Sequence, residues 1–201
     1  MQPQSGEIRD FMRILTKAQF LREKDVWLSK LRAGAVFMYP TDTIYGIGCD
    51  ATNKQAVDVI RQAKQRDEKP FSVIAPSKKW IEENCIVSNT AKECLKKLPG
   101  PYTLLLPLLN KNAIAPNVIG TSQNIGVRIP KHWWNEFVAE FGKPLVTTSV
   151  NIAGQPHATS VWNVPIKLKE HIDFAIDDGQ IKNPPSILLD CTSEQINEVK
   201  R

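Results

Sequence analysis

Two cations two residues apart, Lys64 and Arg66, and a run of small polar groups, Thr147-Thr148-Ser149-Val150-Asn151, are the residues of this chain best suited to chemistry. A guanidinium forks onto two phosphate oxygens, and an ammonium supplies a compact point charge. Hydroxyls and an amide at the end of an apolar strand add short neutral contacts. Gathered in one pocket with Pro40-Thr41-Asp42-Thr43-Ile44-Tyr45-Gly46, these groups suit a polyanion such as a nucleoside triphosphate. The plain alternative for Lys64 and Arg66 is a pair of cations complementing the dipole of a helix C-terminus. For Ser149 and Asn151 it is a turn or a cap. Lys69, just before Pro70, is either a third contact or an exposed cation.

Arg128 is a separate candidate. Asn124 to Pro130 alternates, with Ile125, Val127 and Ile129 on one face and Asn124, Gly126 and Arg128 on the other. Arg128 therefore lies on a solvated sheet face or points into a polar cavity, where it suits a carboxylate; Gly126 leaves room beside it. Other chemistries lack their residues. No G-x-S-x-G elbow surrounds Ser149, and His132, His157 and His171 carry no motif around them. Paired metal-ligand spacings, a P-loop and G-x-G-x-x-G are all missing from the sequence. A triphosphate held here is held without those devices.

The elements that must position these groups follow from periodicity. Thr16 to Arg32 reads as a helix stopped by Gly34, and Ala35 to Tyr39 as a buried strand cut off by Pro40. Residues 40–52 read as a polar loop. Asn53 caps a helix with the stripe Ala56, Val57, Ile60 and Ala63, ending around Lys64 to Asp67. Strands are expected at Phe71–Ala75, Tyr102–Leu106, Asn124–Pro130, Pro144–Thr148, Asp173–Asp177 and Ser186–Asp190, with helices at Lys78–Glu83, Thr90–Lys97 and Trp133–Phe141. This is an α/β chain of α+β type: a mixed twisted sheet with flanking helices, not regular βαβ units. A tail over 1–15 and a single domain over 16–201 are expected.

Bulk properties set the class. A chain of 201 residues with 42% hydrophobic content can bury a core without staples. A net charge of +5 favours nucleotide, RNA or phosphate, or reflects a lysine-rich surface. The four cysteines lie far apart with no C-x-x-C pair, so reduced, mostly buried thiols are expected, and neither a disulfide framework nor a zinc site. No apolar run approaches a membrane span or a signal core, and a cytoplasmic location is expected.

The residues also reach a family. Pro40-Thr41-Asp42-Thr43-Ile44-Tyr45-Gly46-Ile47-Gly48-Cys49-Asp50 resembles the opening motif of the YrdC/TsaC family, the threonylcarbamoyl-AMP synthases. Lys64-Gln65-Arg66, Leu98-Pro99-Gly100-Pro101-Tyr102-Thr103, Gly126-Val127-Arg128-Ile129-Pro130, Thr148-Ser149-Val150-Asn151 and Pro185-Ser186-Ile187-Leu188-Leu189-Asp190 follow in the family's order. The resemblance covers roughly 35–201; Val150 stands where the family usually has alanine. It implies a YrdC-like fold around a concave basic cavity, in the single-domain form. It implies a reaction in which L-threonine, bicarbonate and ATP give threonylcarbamoyl-AMP and pyrophosphate for the threonylcarbamoyladenosine modification of tRNA.

Carried over motif by motif, the resemblance implies Lys64, Arg66, Ser149 and Asn151 as the catalytic and nucleotide-binding set, with Lys69, Asn124, His157 and Arg201 as further ATP contacts. Thr43, Arg128, Thr147 and Ser186 are the implied threonine site, with Arg128 on the carboxylate. Mg²⁺ is implied as companion of the triphosphate, and downstream tRNA-modification proteins as partners. The rivals are a double-stranded RNA or tRNA-binding module without catalysis and related carbamoyl-adenylate chemistry, as in hydrogenase-maturation carbamoyltransferases. The first lacks RNP, GXXG and arginine-rich signatures; the second belongs to far longer chains.

Overall fold

The computed structural model describes residues 12–66 and 69–199. Ten strands among the described residues form one mixed sheet. In chain order they are β1 (Arg13–Thr16), β2 (Phe37–Tyr39), β3 (Gly46–Gly48), β4 (Ser72–Ile74), β5 (Tyr102–Pro107), β6 (Asn124–Arg128), β7 (Leu145–Ser149), β8 (Phe174–Asp177), β9 (Ile187–Asp190) and β10 (Asn197–Val199). Their spatial order is β1-β8-β2-β3-β7-β4-β6-β5-β9-β10. The helices among the described residues are α1 (Lys17–Arg22), α2 (Lys24–Arg32), α3 (Lys54–Lys64), α4 (Lys78–Asn84), α5 (Asn89–Lys96), α6 (Asn135–Phe141) and α7 (Ile166–Lys169).

Three expectations need correction. Arg13 to Leu15, assigned to the tail, belong to β1, which pairs in parallel with β8 (Arg13 opposite Phe174). The single helix expected over Thr16–Arg32 is two helices: Thr16 caps α1 through a capping box with Gln19, and Glu23 leaves helical geometry at φ −108°, ψ 25° before α2 begins. The loop expected over 40–52 contains β3, antiparallel to both β2 and β7. Its two glycines explain why it is there and why it is hard to read. A Cβ on Gly48 would stand 2.0 Å from the Val146 carbonyl oxygen, and one on Gly46 would stand 2.8 Å from the Tyr39 ring. Only bare Cα atoms let β3 lie this close to its neighbours.

Two apolar clusters cover the sheet. One is aromatic: Phe37 stacks on Phe174 at 5.1 Å between centroids, Tyr39 lies 4.3 Å from Trp134, and Phe20 meets Phe137 edge-on at 4.8 Å. Ile74 and Leu145 belong to this cluster. The other gathers the buried stripe of α3 (Ala56, Val57, Ile60, Ala63) with Met38, Ile47, Val73, Val127 and Val146. Each fully buried large side chain contributes about 1.5–3 kcal/mol, so the packing of these clusters stabilises the sheet centre. The four cysteines are buried free thiols, as expected. No helix among the described residues is long and apolar enough to cross a membrane.

Successive same-face residues differ in kind along the central strands. Ile74 and Leu145 face the aromatic cluster. Ser72 and Thr147, two residues away on β4 and β7 and paired with each other, share that sheet face but line a cavity. The site is therefore a gap in an otherwise packed face.

Candidate active site

The cavity has a volume of about 360 Å³, and its floor is the middle of the sheet. Ser72 pairs with Thr147 on one side and Gly126 on the other. Gly46 pairs with Ser149. The walls include Arg66, Arg128, Asn151, His157 and Ser186. No aspartate or glutamate lines it among the described residues. Small hydroxyl residues and two guanidiniums make a site for a ligand that carries its own negative charge.

Helix α3 sets one end. Asn53 caps its start by accepting from the Ala56 amide at 3.1 Å. Gln65, at φ 51°, ends it in the left-handed region and turns the chain so that Arg66 leaves the helix toward the cavity. Arg66 is held by donation from Nε to the Lys69 carbonyl (3.2 Å), from Nη2 to the Pro70 carbonyl (2.6 Å) and from Nη1 to Thr148 Oγ1 (3.3 Å). Its guanidinium also lies over the Phe71 ring at 5.0 Å.

Lys64 has a different task from Arg66. It is 2% exposed, and its ammonium donates to the Ser149 carbonyl, the Asn151 carbonyl (2.7 Å) and Asn151 Oδ1 (3.1 Å). Three protons meet three acceptors. Lys64 therefore pins the end of β7 from behind, and it does not itself line the cavity. Burial, and secondarily the nearby Arg66 charge, lowers its pKa from 10.5 to about 7. Asn151 in turn accepts from Ser149 Oγ at 2.6 Å and donates to the Gln155 carbonyl at 2.6 Å. Lysine, serine and asparagine thus form one unit that fixes where the strand stops.

Arg128 sets the other end and is 5% exposed. Nη2 donates to Asp42 Oδ1 at 2.6 Å, and Nη1 to Thr43 Oγ1 at 3.1 Å. Asp42 Oδ2 also accepts from the Lys131 amide (2.9 Å), and Thr43 shares a hydrogen bond with Thr41 (3.0 Å). A segment from 178 to 186 borders this end. Tyr45 donates to the Gly179 carbonyl (2.7 Å) and accepts from the Asp178 amide (2.9 Å), His132 Nε2 lies 3.0 Å from Asp178 Oδ2, and Asn183 donates to the Asp42 carbonyl (3.2 Å). Partial burial pushes the Tyr45 phenol up to about 12, so it stays a neutral donor.

The structure thus brings together most of the implied residues. Arg66, Arg128, Thr147, Ser149, Asn151, His157 and Ser186 line one cavity, with Thr43 and Lys64 directly behind Arg128 and Asn151. Arg128 faces the cavity and not solvent, which resolves the alternative left open by the strand's alternation. Lys69 is exposed and outside the lining; it contributes its carbonyl to Arg66. Asn124 lies at the far start of β6 and is also outside the lining. Arg201 lies outside the described residues. Two lining residues were assigned no role from the sequence: Ser72, and Thr103, which closes the Leu98–Thr103 motif. The signal was there: each is a lone hydroxyl inside an apolar strand.

A mixed sheet carrying a polar cavity, flanked by two arginines and lined by no carboxylate among the described residues, defines an α/β protein whose site suits anionic ligands. The Sua5/YciO/YrdC family model, described as "Telomere recombination", matches residues 29–201. The chain belongs to this family. The threonylcarbamoyl-AMP synthase of Vibrio campbellii is 33% identical over 177 residues, covering 84% of this chain and 94% of that protein. The protein of the same name from Pseudoalteromonas atlantica is 37% identical over 150 residues, covering 70% and 77%. Among solved structures, P. abyssi Sua5 complexed with L-threonine superimposes with a TM-score of 0.82 at 26% identity, covering 94% of this chain and 56% of that one.

Proposed function

We propose that this chain is a threonylcarbamoyl-AMP synthase, a nucleotidyltransferase that makes threonylcarbamoyl-AMP and pyrophosphate from L-threonine, bicarbonate and ATP. The observation that carries the reading is the placement of Arg66 and Arg128 at two ends of one cavity that no carboxylate lines among the described residues. One guanidinium suits the triphosphate and the other, already oriented by Asp42 and Thr43, suits the carboxylate of the amino acid. The names of the relatives support the same assignment.

The chemistry needs no protein nucleophile. The threonine amine attacks the carbon of bicarbonate, water leaves, and a carbamate forms. A carbamate oxygen then attacks the α-phosphorus of ATP, and pyrophosphate departs. Catalysis is positioning plus charge neutralisation. Arg66 takes phosphate oxygens. Ser149 and Asn151, fixed by Lys64, offer neutral contacts to the nucleotide, with His157 on the same wall. Arg128, Thr147 and Ser186 orient the threonine, and Thr43 fixes Arg128. Mg²⁺ prefers oxygen ligands and retains several waters. The lining offers hydroxyls and no described carboxylate, which fits an ion brought in by the triphosphate, where it would neutralise phosphate charge. Lys69, Asn124 and Arg201 remain proposed as outer nucleotide contacts. The product supplies the tRNA-modification proteins that act next, and a cytoplasmic location goes with this reading.

The direct test is product identity. Incubation of the protein with ATP, Mg²⁺, bicarbonate and L-threonine is expected to yield a species with the mass of threonylcarbamoyl-AMP. AMP or ADP as the sole nucleotide product would contradict the proposal.

A further inference from the structure

The hydroxyls lining the cavity are not equivalent. Thr41 Oγ1 donates to the Ile44 carbonyl at 2.7 Å, Thr103 and Ser186 share a hydrogen bond of 2.8 Å, Thr148 accepts from Arg66, and Ser149 donates to Asn151. The Tyr39 phenol behind Thr147 donates to the Val146 carbonyl at 3.2 Å. Ser72, like its strand neighbour Thr147, has a hydroxyl with no protein hydrogen bond among the described residues, and it stands in the cavity wall beside Gly126. A polar group left over in a network that otherwise satisfies itself is available to a ligand.

Its surroundings narrow what that ligand is. Ser72 sits opposite Gly126 in the parallel β4–β6 pair. A Cβ on Gly126 would lie 2.4 Å from Ser72 Oγ and 3.2 Å from Thr103 Cγ2. The bare glycine therefore opens a space with a hydroxyl on one side and a methyl on the other. Arg128 is two residues further along β6, on the same strand face, about 6.6 Å away by strand rise. A carboxylate anchored there places the side chain of a short α-amino acid over Gly126. A carbon bearing one hydroxyl and one methyl group matches both flanks.

We propose that Ser72 is a specificity-determining residue that reads the β-hydroxyl of the amino-acid substrate, while the Thr103 methyl takes the β-methyl. The assignment rests on the synthase reading above and deepens it. Hydroxyl readout separates threonine from 2-aminobutyrate; methyl contact separates threonine from serine. A neutral hydrogen bond lost from such a pair changes discrimination by about 10-fold.

The test compares kcat/KM for pyrophosphate release with threonine, 2-aminobutyrate and serine in the wild type, Ser72→Ala and Thr103→Ser. The second variant keeps a hydroxyl for Ser186 and removes only the methyl, so it serves if Ser72→Ala fails to fold. Ser72→Ala is expected to lower the threonine over 2-aminobutyrate preference about 10-fold, with KM for ATP unchanged. Thr103→Ser is expected to lower the threonine over serine preference several-fold. An active wild type whose preferences survive in both variants overturns the assignment while leaving the synthase reading intact. A wild type that releases no pyrophosphate with any of the three amino acids overturns the synthase reading and the Ser72 assignment together.

Discussion

Lys64 holds Asn151 twice: its ammonium donates to the Asn151 backbone carbonyl at 2.7 Å and to the side-chain oxygen at 3.1 Å. This joins the last turn of α3 to the end of β7, more than eighty residues away in sequence. The cation that a K-x-R pattern suggests for phosphate is, in the structure, the pin that fixes the polar end of the central strand. Arg66, two residues beyond it, is the cation of this pair that stands on the cavity wall.

The buried ammonium makes a prediction about pH. Its pKa is about 7 in the folded chain against 10.5 for an ordinary lysine, so between those limits the unfolded chain binds more protons and unfolding free energy rises with pH. The stability associated with this group is complete above about 10.5 and is lost as pH falls through about 7. Urea unfolding at several pH values is expected to show this rise in the wild type and a shallower one in Lys64→Met. Parallel pH profiles in the two proteins would show that Lys64 titrates normally.

Arg66→Ala is expected to lower the adenylation rate by about 10²–10³, the typical loss when one preorganised charge contact is removed. The fold is expected to survive, because the carbonyls of Lys69 and Pro70 that Arg66 holds belong to exposed residues and water can replace it. Pyrophosphate release near the wild-type rate from a folded variant would remove Arg66 from the phosphate site.

Arg128→Ala separates binding from stability. The pair with Asp42 is nearly enclosed, at 6% and 12% side-chain exposure, so deleting the cation strands a carboxylate and costs about 3 kcal/mol. Adding Asp42→Asn is expected to recover much of that stability without restoring KM for threonine. Equal increases in KM for threonine and ATP would argue against the carboxylate role.

Gly126→Ala pushes a methyl to within 2.4 Å of Ser72 Oγ. A destabilisation of about 1–3 kcal/mol is expected, together with a several-fold rise in KM for threonine and little change for ATP. Unchanged threonine kinetics would place the amino acid elsewhere in the cavity.

Much of the fold is legible because long elements carry their own periodicity. The Asn53 cap and the stripe through Ala63 mark α3, and the alternation of Ile125, Val127 and Ile129 marks β6. β3 hides because two of its three residues are glycines whose strand role depends on Tyr39 and Val146, residues distant in sequence. β1 hides because an edge strand of four residues takes its geometry from β8. Among site residues, Arg66, Arg128, Ser149 and Asn151 stand out by type. Ser72 does not, since a lone hydroxyl in an apolar strand acquires meaning only when the sheet order places it beside Gly126. The division of labour between Lys64 and Arg66 also needs the tertiary structure, because burial and not residue type distinguishes them.

The central claim is tested most directly by following pyrophosphate release from ATP and Mg²⁺ while threonine and bicarbonate are withheld in turn. Release that requires both is the predicted result. Release independent of threonine, or none at all from a folded protein that binds RNA, would contradict the account.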